Sequence, residues 1–218
     1  MLNSILMMNR RQAIKNIGLS AGYIAATPAI LSVLQSCTAE IQLNWIPELL
    51  SQDEAKVLDQ LVDLIIPETD IPGAKSLNVG MFVDRYMNQV AQEEEAGMFK
   101  QTAGIVLSEL GISEEKPVKK VKIEEYDALL SKYLRSSKEQ QETYEEEMEQ
   151  IKSPADFEKI SKDAKVFLFL SAVRGLSIWG FKTSEEIGEN VLAYAPVPGE
   201  QIGCDSVEKL TGGKAWSL

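Results

Sequence analysis

The feature that most constrains the fold is an apolar segment from Asp156 to about Ile178, the most apolar part of the chain beyond its amino-terminal leader. It contains the uninterrupted apolar run Val166–Leu170. Lys165 and Arg174 bracket an interval that is too short to span a bilayer. The segment therefore predicts a central buried helix.

The segments before it carry apolar residues at helical spacing. Ser51 and Glu54 form a capping-box pattern at the start of the first helix, and Pro67 ends that helix. Gly111 is a stop signal for a later helix. The further predicted helices span about 79–90, 94–110, 123–134 and 138–151. Beyond Ile178 we predict a short helix from about Glu185 within an irregular arm rich in proline, glycine and aromatic residues. The fold class is mainly α, with a single compact helical domain.

The first 37 residues have the organisation of a bacterial export leader. A basic stretch contains the adjacent pair Arg10 and Arg11, which the twin-arginine translocation machinery recognises. An apolar stretch from Ile17 to Leu34 follows, and Cys37 then occupies the position of the lipid-accepting cysteine in a lipobox. We predict a signal peptide over residues 1–36, a lipidated tether over 37–47 and the helical domain over 48–218. The expected location is the periplasmic side of the cell envelope.

Two alternatives to this interpretation of the leader remain open. The apolar stretch has about 18 residues, the lower limit for a membrane span, so it could be an uncleaved anchor. Ala13 occupies a position where the twin-arginine motif usually carries a large apolar residue, so ordinary secretion is also possible. Translation could begin at Met7 or Met8 without loss of the leader.

Composition excludes several classes of function. The chain has no histidine, which rules out serine–histidine and cysteine–histidine nucleophile pairs. It also lacks the glycine-rich dinucleotide and phosphate-loop motifs. The leader holds three basic and no acidic residues, so its removal changes the net charge from −11 to −14. Such a charge argues against nucleic acid as a partner. We predict no catalytic, cofactor-binding or metal-binding residue in this chain.

Other polar patterns have a structural explanation beside the chemical one. Ser206 and Lys209 match a Ser-x-x-Lys motif whose companion motifs are absent. Cys204 is a candidate thiol with no histidine to activate it. Two clusters of acidic residues suggest cation binding. In the first, Glu145–Glu147 with Glu149, a solvated helix face is the better explanation. In the second, helix caps and surface charge explain the residues equally well; its members are Asp63, Glu68, Asp70 and Asp84.

Four aromatic residues in the carboxy-terminal region are candidates for partner binding. They are Trp179, Phe181, Tyr194 and Trp216. Aromatic residues in a region rich in proline and glycine either cover the core or anchor a partner protein. Both interpretations stay open at this point.

Two segments resemble a known family. The first runs from Leu64 to Ala74 and continues from Asn78 to Asp84; the second runs from Arg174 to Ser184 and from Leu192 to Gly199. They resemble the amino-terminal and carboxy-terminal signatures of the gluconate 2-dehydrogenase subunit 3 family. Members often carry Gly-Tyr where this chain has Gly180-Phe181. The resemblance covers roughly residues 48–205.

The resemblance implies a small subunit of a membrane-associated dehydrogenase. Its expected partner is a large flavoprotein subunit of the glucose–methanol–choline (GMC) type, which holds FAD and oxidises a sugar, sugar acid or alcohol. Electrons then pass to a cytochrome c subunit or to another acceptor. The small subunit supplies the export leader and stabilises the flavoprotein. The leading hypothesis is thus a non-catalytic subunit that binds and co-exports its dehydrogenase. The alternative is a self-standing envelope lipoprotein that acts as a binding or scaffold module without a redox partner.

Overall fold

The computed structural model describes residues 42–197, 199, 202 and 204–217. The predicted signal peptide, Arg10, Arg11 and Cys37 lie outside the described residues. The described residues belong to one compact unit, Ile41–Leu218. Its helices are α1 (Gln52–Ile65), α2 (Val79–Gln89), α3 (Glu93–Glu109), α4 (Ile123–Leu134), α5 (Lys138–Glu149), α6 (Pro154–Phe157), α7 (Lys162–Lys182) and α8 (Val207–Thr211). A 3₁₀ turn at Val118–Lys120 precedes α4, and a π-helical turn at Glu186–Val191 follows α7.

Helix α7 forms the centre of the fold. It packs against each of α1 to α5, and the fully buried side chains on it include Val166, Leu170 and Val173. In the described part of the chain, α7 is the one helix that is long and apolar enough to cross a membrane, and half of its most apolar window is buried inside the domain. The prediction of a mainly α domain around a buried central helix is confirmed.

The boundaries of this central helix differ from those predicted. The sequence indicates one helix from Asp156 to about Ile178, whereas α6 ends at Phe157 and α7 begins at Lys162. The break occurs because Ser161 caps a new helix: its hydroxyl accepts a hydrogen bond from the Ala164 N–H at 3.1 Å. At its other end α7 continues to Lys182. Trp179 and Phe181 therefore lie in the last turns of the central helix and not in the irregular arm.

The segment ahead of α1 is held by a buried carboxylate on α2. Asp84 is fully buried and accepts hydrogen bonds from the backbone N–H groups of Glu48 at 2.6 Å and Leu50 at 2.9 Å, with a longer bond from Leu49 at 3.3 Å. Trp45, only 7% exposed, packs into the core beside this segment. The packed region thus begins earlier than residue 48, the predicted boundary between tether and domain.

The arm after α7 is ordered by a few specific contacts. Ile187 in the π-helical turn is fully buried. The backbone of Ala193 bonds to that of Ala215 and Ser217, both at 2.9 Å, which joins the carboxy-terminal residues to the chain after the turn. Ser206 caps α8 by accepting a bond from the Lys209 N–H at 3.3 Å. The Ser-x-x-Lys pattern is therefore the start of a short helix.

Candidate partner-binding surface

An aromatic cluster lies where α2 meets the end of α7. Phe82 and Tyr86 are four residues apart on α2, so their side chains share one face of the helix. The indole ring of Trp179 meets both of them edge-to-face, with ring centroids 5.2 Å from Phe82 and 5.3 Å from Tyr86. Trp179 nevertheless remains 42% exposed. We call these three residues the aromatic surface.

The aromatic surface depends on a glycine. A Cβ atom placed on Gly180 would lie 2.5 Å from Cδ1 of Phe82. The Phe82 ring therefore rests directly on the backbone of α7, and any side chain at this position would displace it. Gly180 lets α2 approach closely enough for Phe82 and Tyr86 to support Trp179.

An apolar groove of about 340 Å³ continues from the aromatic surface between α2, α3 and α7. Its floor is formed by Phe99 and Phe169, whose ring centroids are 4.8 Å apart. Tyr86 belongs to both the groove and the aromatic surface. The groove is lined by Tyr86, Met87, Glu95, Met98, Phe99, Thr102, Leu168, Phe169, Ala172 and Leu176. We call it the α2/α3/α7 groove.

The polar atoms of the groove are few. The Thr102 hydroxyl bonds to the carbonyl oxygens of Met98 and Phe99, both at 2.9 Å, so its hydrogen-bonding capacity is used inside α3. Glu95 supplies the charge, and Glu93 and Glu94 precede it in the same exposed first turn of α3. The groove is thus apolar inside and negatively charged at one end.

The structure separates the four predicted aromatic candidates. Trp179 belongs to the aromatic surface, whereas Phe181 is half-buried and packs against the core. Tyr194 and Trp216 are 49% and 52% exposed, and the bridge between Ala193 and Trp216 places their segments side by side in the arm. Among the described residues, no ring contact joins either of them to Trp179. The candidates therefore form two exposed sites and one core contact.

The sequence does not single out Phe82 and Tyr86 as partner-binding candidates, and it does not predict the groove. At helical spacing the two aromatic residues on α2 look like ordinary core residues. A usable signal is the neighbouring pair Trp179-Gly180, since a glycine beside a large aromatic residue in a helix often marks a close helix contact.

Three of the acidic candidates for a cation site bind groups of the protein itself. Asp84 accepts backbone N–H groups, and Glu68 accepts the Ser76 hydroxyl. Glu147 accepts the backbone N–H of Ser161 at 2.6 Å and its hydroxyl at 3.0 Å. Within the described ranges, no three acidic or cysteine side chains are grouped to hold a metal ion. Cys204 is free and exposed.

A charged network joins three helices away from the groove. Glu109 at the end of α3 accepts from Lys132 of α4 at 2.8 Å and from Lys162 of α7 at 2.6 Å. These two hydrogen bonds lower the pKa of Glu109 to about 2. The Tyr133 hydroxyl donates to Asp163 at 2.7 Å, and burial is the main cause that raises the pKa of this phenol.

A second buried carboxylate lies at the contact between α1 and α2. Burial raises the pKa of Asp59, and the ammonium group of Lys75, 3.6 Å away, partly opposes that effect. A Cβ on Gly80 would lie 3.1 Å from an Asp59 oxygen, so α2 is packed tightly here as well. These charged groups stabilise contacts within the domain and lie outside the aromatic surface.

A family model described as gluconate 2-dehydrogenase subunit 3 matches residues 52–199. The chain belongs to the gluconate 2-dehydrogenase subunit 3 family. This confirms the family predicted from the two sequence segments, and it makes the chain a small subunit of a dehydrogenase complex. The part matched to the family contains α1 to α7, the aromatic surface and the groove, whereas Trp45 and Trp216 lie outside it. Neither a curated protein nor a solved structure matches the chain.

Proposed function

We propose that this chain binds, stabilises and co-exports an FAD-dependent dehydrogenase of the GMC type, without taking part in the catalysis itself. The observation that carries the proposal is the aromatic surface. Phe82 and Trp179 come from the two segments that resemble the family signatures, and Tyr86 lies two residues after the first of them. Trp179 stays exposed although Phe82 and Tyr86 hold it in place. Rigid, half-exposed aromatic residues are the typical anchors of protein interfaces.

The division of labour between the subunits is the one that the family resemblance implies. FAD belongs to the large subunit, which oxidises a sugar, sugar acid or alcohol, and a cytochrome c subunit or another acceptor receives the electrons. A flavoprotein must fold around FAD before export, so it needs a route that carries folded proteins. The Arg10-Arg11 pair supplies that route, and lipid on Cys37 keeps the complex at the periplasmic face of the membrane.

Co-expression with a GMC-type flavoprotein gene from the same genome tests the proposal. With the intact chain, we expect the flavoprotein to be exported, to bind the membrane and to co-purify with this subunit. The double substitution Arg10→Lys and Arg11→Lys should leave both proteins in the cytoplasm. Cys37→Ala should keep them together but release the complex from the membrane.

Two results would contradict parts of the proposal. A flavoprotein that reaches the periplasm and is equally active without this chain would refute co-export and stabilisation. Export of the double lysine variant at the normal level would show that the leader uses ordinary secretion. In that case the escort role would be lost, while the membrane anchor at Cys37 would remain.

A further inference from the structure

The α2/α3/α7 groove has the chemistry of a site for apolar side chains. A sugar or sugar acid would need several converging hydrogen-bond partners, but the Thr102 hydroxyl is bonded within α3 and the floor consists of the rings of Phe99 and Phe169. Its volume of about 340 Å³ is enough for a small number of large side chains. Met87 and Met98 line it with flexible thioether chains that adapt to the shape of an apolar ligand.

The charge around the groove selects among possible occupants. The turn Glu93–Glu95 is exposed at one end, and Glu95 lines the groove itself. The whole chain has a net charge of −11, so a second copy would bring acidic surface against acidic surface. A partner segment with basic residues beside its apolar side chains would instead be attracted, and like charges would be excluded.

We propose that this groove binds a segment of the catalytic dehydrogenase subunit in which large apolar side chains are followed by a lysine or arginine. The apolar side chains enter the groove over Phe99 and Phe169, and the basic residue meets the turn Glu93–Glu95. Tyr86 makes the groove continuous with Trp179, so the segment and the aromatic surface form one interface. The inference rests on the proposed function, because it names where that partner binds.

Filling the groove is the first test. Ala172→Phe adds a ring to a partly buried lining position, and Ala128→Phe makes the same change at an exposed position of α4 outside the groove. Each variant is co-expressed with the dehydrogenase, checked by thermal unfolding, and titrated against it. We expect Ala172→Phe to weaken the complex by about 10- to 100-fold, the loss typical of a blocked interface hot spot, and Ala128→Phe to leave it unchanged.

Reversing the charge is the second test. Glu94→Lys should weaken binding by about tenfold at low salt, with a smaller loss at high salt because ions screen the attraction. Glu139→Lys, in the exposed first turn of α5, is the matched control because it has the same effect on a helix terminus. Equal affinities for the two lysine variants would contradict the charge assignment.

A photo-cross-link identifies the occupant directly and does not depend on how Ala172→Phe folds. Benzoylphenylalanine at Met98 in the assembled complex should yield an adduct with the dehydrogenase, while the same group at exposed Ile123 should not. An adduct with the leader of this chain or with a second copy would overturn the inference. So would unchanged binding by a folded Ala172→Phe variant. Failure of the intact chain to bind any flavoprotein would instead refute the proposed function.

Discussion

At the scale of single residues, Asp84 shows how one side chain can fix a long-range contact. Its carboxylate lies in the core and accepts three backbone N–H groups from residues 48–50, more than thirty positions earlier in the chain. These groups precede the capping residue Ser51 of α1. The buried carboxylate is tolerated because these hydrogen bonds replace its contacts with water. Each bond also gives an acceptor to a backbone N–H group that would otherwise have none.

Replacing Asp84 by alanine should destabilise the domain by about 3 kcal/mol, because it leaves one buried and two partly buried N–H groups without their acceptor. Asp84→Asn keeps one acceptor oxygen and should cost less. Urea unfolding of the purified chain measures both effects. Asp127→Ala is the control, since Asp127 is exposed and its 3.6 Å ion pair with Arg135 should contribute under about 1 kcal/mol. Equal losses for Asp84→Ala and Asp127→Ala would contradict the role assigned to Asp84.

At the scale of elements, the contact between α2 and the end of α7 decides how the two family segments meet. The Phe82 ring lies against the backbone of α7 at Gly180, and Trp179 closes over the same ring from the adjacent position. Glycine is unfavourable inside a helix, so its presence at a buried position indicates that the approach of Phe82 outweighs the lost helix propensity.

Two substitutions on α7 should have opposite signs. Gly175→Ala has open space around its new methyl group and should stabilise the chain by about 0.5–1 kcal/mol through helix propensity. Gly180→Ala gains the same propensity but forces Phe82 to move, and should destabilise by about 1–3 kcal/mol. Thermal unfolding compares them. If both changes stabilise the chain, the position of the Phe82 ring does not require a glycine at residue 180.

The helices themselves are largely predictable from local sequence, while their contacts are not. Ser51 with Glu54 marks the start of α1 as predicted, because a capping box depends only on neighbouring residues. The break before α7 is not predicted, because apolar residues at helical spacing continue across it and conceal the Ser161 cap. Likewise, the sequence leaves cation binding, helix capping and surface charge open for Asp84, because the N–H groups that it accepts lie on a distant segment. The family segments indicate the region of the aromatic surface but not the groove, which requires three helices to assemble.

At the scale of the whole molecule, stability against acid depends on the network around Glu109. This carboxylate links α3 to α4 and α7 through Lys132 and Lys162, and the two hydrogen bonds lower its pKa to about 2 from an ordinary value of 4.5. A lowered pKa in the folded state means that the stabilisation is complete above about pH 4.5 and is lost as the pH falls toward 2.

The substitution Glu109→Gln should lower the free energy of unfolding by about 1–2 kcal/mol at pH 7, because both lysines stay partly exposed and water screens the pairs. The difference from the unmodified chain should shrink between pH 4.5 and 2. Denaturant unfolding at several pH values measures it, with Glu146→Gln on exposed α5 as the control. A difference that is constant with pH would show that Glu109 contributes by packing and not by charge.

The way in which α2 holds the amino-terminal segment has a mechanical consequence. The Asn44 side chain donates a hydrogen bond at 2.8 Å to the side chain of Asn78, just before α2. Asp84, within α2, binds the backbone of residues 48–50. A pulling force applied ahead of Asn44 therefore enters the domain through α2 before it reaches α1. Tyr86 lies on the same eleven-residue rod, which is about 16 Å long. Tension on the amino-terminal segment is thus transmitted by the same short helix that carries two of the three residues of the aromatic surface.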